Sequence, residues 1–89
     1  MDEQLRAWVL NKLKRHCYIG GKLTDESNVR KGAGPKYYSR IEDILKELVK
    51  SGYMLIKPTS YGKHVSLNPR VIKEIDEFIQ RYFTQVIFK

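Results

Sequence analysis

The chain has 89 residues and a formal net charge of +7, from 17 lysines and arginines against 10 acids, with a pI near 9.6. That length supplies one modest core, and a core of this size leaves only marginal stability. A single cysteine, Cys17, excludes an internal disulfide, and the sequence has neither a signal pattern nor an apolar run near the ~18–20 residues of a membrane span, so a cytoplasmic protein is expected.

Residues 2 to 16 read as a first helix with Leu5, Trp8, Val9 and Leu13 turned inward, and Asp2 and Glu3 near the positive end of its dipole. Trp8 falls beside that apolar stripe, which makes it a core anchor rather than a platform for a base. Tyr18-Ile19-Gly20-Gly21 breaks the helix and offers a short first strand. Thr24 then reads as an N-cap, with Asp25 and Glu26 in the first turn of a short helix over residues 24 to 30. Only Leu23 and Val29 anchor it. Should this helix be irregular, residues 28 to 36 become a glycine-rich basic strap in which Arg30 and Lys31 lie along phosphates.

The strongest signal begins at Pro35. Tyr37, Tyr38, Ile41, Ile44, Leu45, Leu48 and Val49 recur at three- and four-residue spacing, while Lys36, Ser39, Arg40, Asp43, Lys46, Glu47 and Lys50 occupy the opposite face. Pro35 suits a first helical turn and Gly52 a left-handed C-terminal cap. The period then becomes extended through Tyr53, Met54, Leu55 and Ile56, and resumes at Val65, Ser66 and Leu67. Between these runs, residues 57 to 63 contain Pro58 and Gly62 and form the expected bend of a hairpin. Asn68-Pro69 is an N-cap followed by proline at the first helical position, opening a last helix to about residue 83. Its Val71, Ile72, Ile75, Phe78, Ile79, Tyr82 and Phe83, extended by Val86, Ile87 and Phe88, exceed what one hairpin covers. Two readings stay open for Phe78, Ile79, Tyr82 and Phe83: a homodimer contact, or closure of the monomer's own core.

The run of residues from the second amphipathic helix through Leu48-Val49-Lys50-Ser51-Gly52-Tyr53 into a hairpin resembles the winged helix-turn-helix family over residues 5 to 67. The stretch Pro58-Thr59-Ser60-Tyr61-Gly62-Lys63-His64-Val65-Ser66-Leu67-Asn68-Pro69 is similar to a group of small archaeal winged-helix proteins. The resemblance implies an α+β fold in one domain, residues 1 to 89, with a three-helix core, a β-hairpin wing and an additional C-terminal helix. It also implies DNA binding and transcriptional regulation.

Charge placement agrees with a polyanionic partner. Residues 30 to 64 hold eight cations against three acids, a net +5, and such a surface attracts phosphates without regard to sequence. Lys36, Ser39 and Arg40 near the start of the second amphipathic helix are the expected contacts to base edges or phosphates, and Lys57, Tyr61, Lys63 and His64 those of the wing. Asp43 and Glu47 oppose deep entry of the whole helix into a groove and allow shallow entry by its first turns. They suit an alternative reading as a protein-interaction or assembly module, and structured RNA is a further candidate partner. No enzyme, cofactor or metal is expected: His16 and His64 are far apart, Cys17 has no ligand spacing beside it, no P-loop or nucleophile elbow occurs, and Asp25-Glu26 and Glu74, Asp76, Glu77 sit where helices ordinarily carry acids.

Overall fold

The computed structural model describes residues 2–83, and the expected apolar extension through Val86, Ile87 and Phe88 lies outside them. The elements in chain order are α1 (Asp2–Arg15), β1 (Thr24–Asp25), α2 (Glu26–Val29), α3 (Tyr38–Lys50), β2 (Met54–Thr59), β3 (Gly62–Leu67) and α4 (Ile72–Tyr82). Short 3-10 turns, Pro35–Tyr37 and Pro69–Val71, lead into α3 and α4. Among the described residues the protein is therefore α+β, with four helices and one three-stranded antiparallel sheet of order β1-β3-β2. Among the described residues, no helix is long and apolar enough to cross a membrane.

The centre of the fold is α1. Asp2 and Glu3 lie in its first turn and Lys12, Lys14 and Arg15 in its last, the arrangement its macrodipole favours. Leu5, Ala7, Val9, Leu10 and Leu13 are all buried. Those positions cover more than one face, because α1 contacts α2, α3, α4 and β3. Trp8 is half-buried, packed at the edge of the core, with the Lys12 ammonium 5.4 Å from the centre of its ring.

The amphipathic stripe of α3 is realised as Ile41, Ile44, Leu45 and Leu48 in the core, flanked by half-buried Tyr37, Tyr38 and Val49. The helix stops where Gly52 takes φ +85°, a left-handed conformation that lets the chain turn at once into β2. Asn68 locks this corner to the start of α4. Its Nδ2 donates to the Gly52 carbonyl at 2.8 Å, its backbone N–H donates to the Tyr53 carbonyl at 3.0 Å, and its Oδ1 accepts from the Arg70 N–H at 3.0 Å.

The sheet closes the core from below α3. Met54, Val65 and Leu67 are buried, with Met54 opposite Leu67 and Ile56 opposite Val65. Cross-strand partners share a face, so Met54, Ile56, Val65 and Leu67 form the inner surface, while Leu55, Lys57 and His64 lie on the outer one. Leu67 donates its N–H to the Tyr18 carbonyl and accepts from the Gly20 N–H, so alternate residues of β3 turn away from β2. By the same alternation Pro58, opposite Lys63, has its nitrogen on the open edge of β2, where a missing donor costs no ladder bond.

Three expectations need correction. Thr24 is not the cap of α2: it is buried in β1 opposite Val65, and Asp25 caps instead, its Oδ1 accepting from the Ser27 N–H at 2.9 Å and hydroxyl at 2.7 Å. The segment around Ile19 contributes one parallel bridge to Leu67 rather than a strand. The hairpin bend is also tighter than residues 57 to 63, because β2 and β3 pair as far as Thr59 and Gly62 and leave Ser60 and Tyr61 alone in the turn.

The last helix folds back on α1. Ile75 is fully buried, Phe78 and Ile79 pack against the core, and Lys14 pairs with Asp76 across the two helices.

Candidate nucleic-acid interface

The exposed ridge of α3 consists of Ser39, Asp43, Lys46 and Lys50, spaced by four, three and four residues so that they stack along one line of the helix. All four are exposed, and Asp43, Lys46 and Lys50 have no ion-pair partner among the described residues. The acids flanking this ridge are paired with cations from α1 and from the end of α2. Glu42 pairs with Arg30 at 3.4 Å, and Glu47 pairs with Arg6 of α1.

Between α3 and the hairpin runs a groove of about 190 Å³, floored by Leu45, Val49, Ile56 and Val65. Lys46 of α3 and Lys63 of β3 line it together with Glu26 and Glu42. Lys57 and Lys63 are both exposed and unpaired among the described residues. They stand on opposite faces of the ribbon, since Lys57 is opposite His64 and Lys63 is opposite Pro58. At the tip, Tyr61 is 95% exposed.

Other expected contact residues are engaged within the protein. Arg40 pairs with Asp2 on the α1 side of α3. Arg30, besides Glu42, has its guanidinium 4.7 Å from the centre of the Tyr38 ring. Lys36 sits over Tyr37 at 5.2 Å. His64 faces Asp25 across the β1–β3 pair, Nε2 to Oδ2 4.0 Å. The Asp25 carboxyl is held below its ordinary range, chiefly by the Ser27 hydroxyl and amide bonds, with His64 and Lys31 adding attraction.

The segment carrying Arg30 and Lys31 is not a free strap. Lys12 of α1 donates from Nζ to the carbonyls of Asn28 at 2.9 Å, Val29 at 3.2 Å and Lys31. These carbonyls lie at and just beyond the C-terminal end of the four-residue α2, where a cation complements the helix dipole. Partial burial, with Arg15 and Lys31 nearby, pushes the Lys12 ammonium below its ordinary range.

The structure thus places Lys46 and Lys63 on one groove, with Ser39, Lys50, Lys57 and Tyr61 exposed on the elements around it, while Arg30 and Arg40 are ion-paired and His64 stands 4.0 Å from the Asp25 carboxylate. Sequence reasoning passed over Lys46, Lys50 and Lys12. The first two carried a signal, their register with Ser39 and Asp43 on the ridge, whereas the role of Lys12 depends on a contact between α1 and α2. Among the described residues, no group of three or more His, Cys, Asp or Glu side chains is placed to hold a metal ion. No protein-family model, no curated protein and no solved structure matches the chain.

Proposed function

We propose that the chain is a duplex-DNA-binding protein of the winged helix-turn-helix kind, a transcriptional regulator in which α3 is the recognition helix and the β2–β3 hairpin is the wing. The observation that carries this reading is the joint placement of Lys46 and Lys63 on one groove between α3 and the hairpin, where Arg30 pairs with one of the two acids in the lining, Glu42, and Glu26 remains. Lys50 and Lys57 add exposed charge on the same two elements. The ion pairs Glu42–Arg30 and Glu47–Arg6 support it too, because they remove two of the three acids that would repel phosphate from α3. Asp43 is left on the ridge, so the helix enters the groove shallowly and affinity comes mainly from phosphate contacts, which position the protein without reading sequence.

Fluorescence anisotropy of a labelled duplex across a salt series tests the proposal. The expected result is an affinity that falls steeply with salt, by a logarithmic slope of about −0.9 for each phosphate neutralised. Salt-independent binding, or none, overturns it. A second reading rests on the half-buried Tyr82 and Phe83 at the end of α4, which suit contact with a second copy and hence a pair of recognition helices about one DNA turn, ~34–36 Å, apart.

A further inference from the structure

The tip of the hairpin combines three features that the duplex-binding reading does not use. Tyr61 is 95% exposed, so its ring contributes almost nothing to the packing of this fold. The turn that presents it is held in shape: the Thr59 hydroxyl donates to the Gly62 carbonyl at 2.7 Å and accepts from the Tyr61 N–H at 3.3 Å. Gly62 takes φ +138°, a conformation other residues rarely adopt, which allows a turn of only Ser60 and Tyr61 between paired strands. A large ring carried on a backbone turn that is already fixed projects ready for contact, and the turn itself loses little freedom on binding.

The chemistry around the ring selects the ligand. Ser60, Tyr61 and Gly62 bring no charge to the tip, whereas the narrow minor groove draws arginine and lysine by its negative potential. The cations stand back from the tip, with Lys63 two residues behind Tyr61, or ~7 Å at the usual rise of a strand. An aromatic face ahead of a lysine matches an unpaired nucleotide, whose base stacks on the ring while its backbone phosphate meets the ammonium. Paired bases within a duplex are already stacked on both sides and offer no such face.

We infer that Tyr61 is a stacking platform for an unpaired base beside a duplex, so that the protein prefers duplexes carrying a single-stranded tail or gap to fully paired ones. This rests on the nucleic-acid reading above and adds a substrate class to it. Stacking tolerates any base, so the preference is for structure rather than sequence.

The test uses the full chain in anisotropy titrations with a blunt DNA duplex, the same duplex with a short thymidine tail, the tail alone, and the corresponding RNA forms. The wild type is expected to bind the tailed duplex about tenfold more tightly than the blunt one, at the lower end of what one base–aromatic stack contributes. Tyr61→Ala is expected to bring that ratio close to one, and Tyr61→Phe to keep it, with circular dichroism showing all three folded. A tailed-to-blunt ratio near one for the wild type overturns the inference while leaving duplex binding intact. So does an equal loss from both probes in Tyr61→Ala, which would assign the ring to the duplex itself. A wild type that binds no probe overturns the nucleic-acid reading along with it and leaves the exposed ring to a protein partner. Comparison of the DNA and RNA tails assigns the source of the unpaired base.

Discussion

Arg40, in the first turn of α3, forms an ion pair with Asp2 at the start of α1. Both side chains are about half exposed, 54% each, so the pair contributes at most about 1 kcal/mol to stability and mainly fixes where the guanidinium points. It points toward α1, off the ridge that bears Lys46 and Lys50. Arg40→Ala is therefore expected to weaken DNA binding less than Lys46→Ala, and Asp2→Asn, by releasing the arginine and removing an acid, to strengthen it. Anisotropy with a single duplex decides: an Arg40→Ala loss larger than that of Lys46→Ala would return Arg40 to the centre of the interface.

The hairpin lysines make a prediction about slope. Lys57 and Lys63 are exposed without ion-pair partners among the described residues, so each is available to displace a counterion from a phosphate. The double change Lys57→Ala with Lys63→Ala should lower affinity for all duplex sequences alike and reduce the salt slope by about 2, one unit for each lost phosphate contact. Lys73→Ala with Arg81→Ala on α4 removes the same formal charge from exposed positions elsewhere. Equal slopes for the two double variants would show that only diffuse charge matters.

How far the sequence carried these conclusions depends on the range of each interaction. Pro35, Gly52 and Asn68-Pro69 act within a few residues of themselves, and each marks an element boundary in the structure as expected. Thr24 misled because the pairing of its backbone with Val65 is a tertiary constraint, and the strand moves the cap one residue on to Asp25. The burial of Ala7 and Leu10 beyond the Leu5–Val9–Leu13 stripe of α1 was likewise not local, since it follows from α1 being contacted by α2, α3, α4 and β3 together. Among the candidate contact residues, the exposure of Lys57, Lys63 and Tyr61 followed from local pattern. The capture of Arg40 by Asp2 and of Arg30 by Glu42 did not, because charge counting along a chain treats every cation as available.

Asn68 is expected to be the most sensitive polar position. It caps the turn into α4 through Oδ1 and donates from Nδ2 to the Gly52 carbonyl, so one side chain fixes two corners of the fold. Loss of an N-cap costs about 1 kcal/mol, and an unsatisfied, partly buried carbonyl adds about 1–2. Asn68→Ala should therefore destabilise by about 2–3 kcal/mol in urea unfolding. Asn68→Asp keeps the acceptor and loses the donor, and should fall between the two. Equal stability of Asn68→Asp and the wild type would show that the Gly52 bond contributes nothing.

Acid should weaken the junction of β1 and α2. The Asp25 carboxyl is held low by its Ser27 bonds, so the folded state binds its proton less readily than the unfolded chain. A group of this kind contributes its stability at pH values above the ordinary carboxylate range, and that contribution disappears as pH falls through the depressed folded value. Asp25→Asn should then be less stable than the wild type at pH 6, with the difference shrinking below about pH 4. Urea midpoints at several pH values measure this, and a gap that stays constant into acid would assign the effect to packing rather than to the carboxylate.

The two aromatic ends of α4 should behave differently. Phe78 packs against the core and tilts onto Tyr82, ring centres 4.7 Å apart, whereas Tyr82 and Phe83 are half-buried at the end of the described chain. A charge at Phe78 must desolvate against Leu48 and Tyr53, which line the same cleft, so Phe78→Glu should destabilise the monomer by about 2–4 kcal/mol. Phe83 is not among the residues packed against the core, so Phe83→Glu should leave the fold intact. Its effect on association is the informative quantity. Sedimentation equilibrium at tens of micromolar, suited to contacts of micromolar strength, is expected to show a wild-type dimer and a folded Phe83→Glu monomer. A wild type that is monomeric there, with Phe78→Glu unfolded, would mean that α4 serves only to close the core, and the proposed DNA contact would then be made by a single recognition unit.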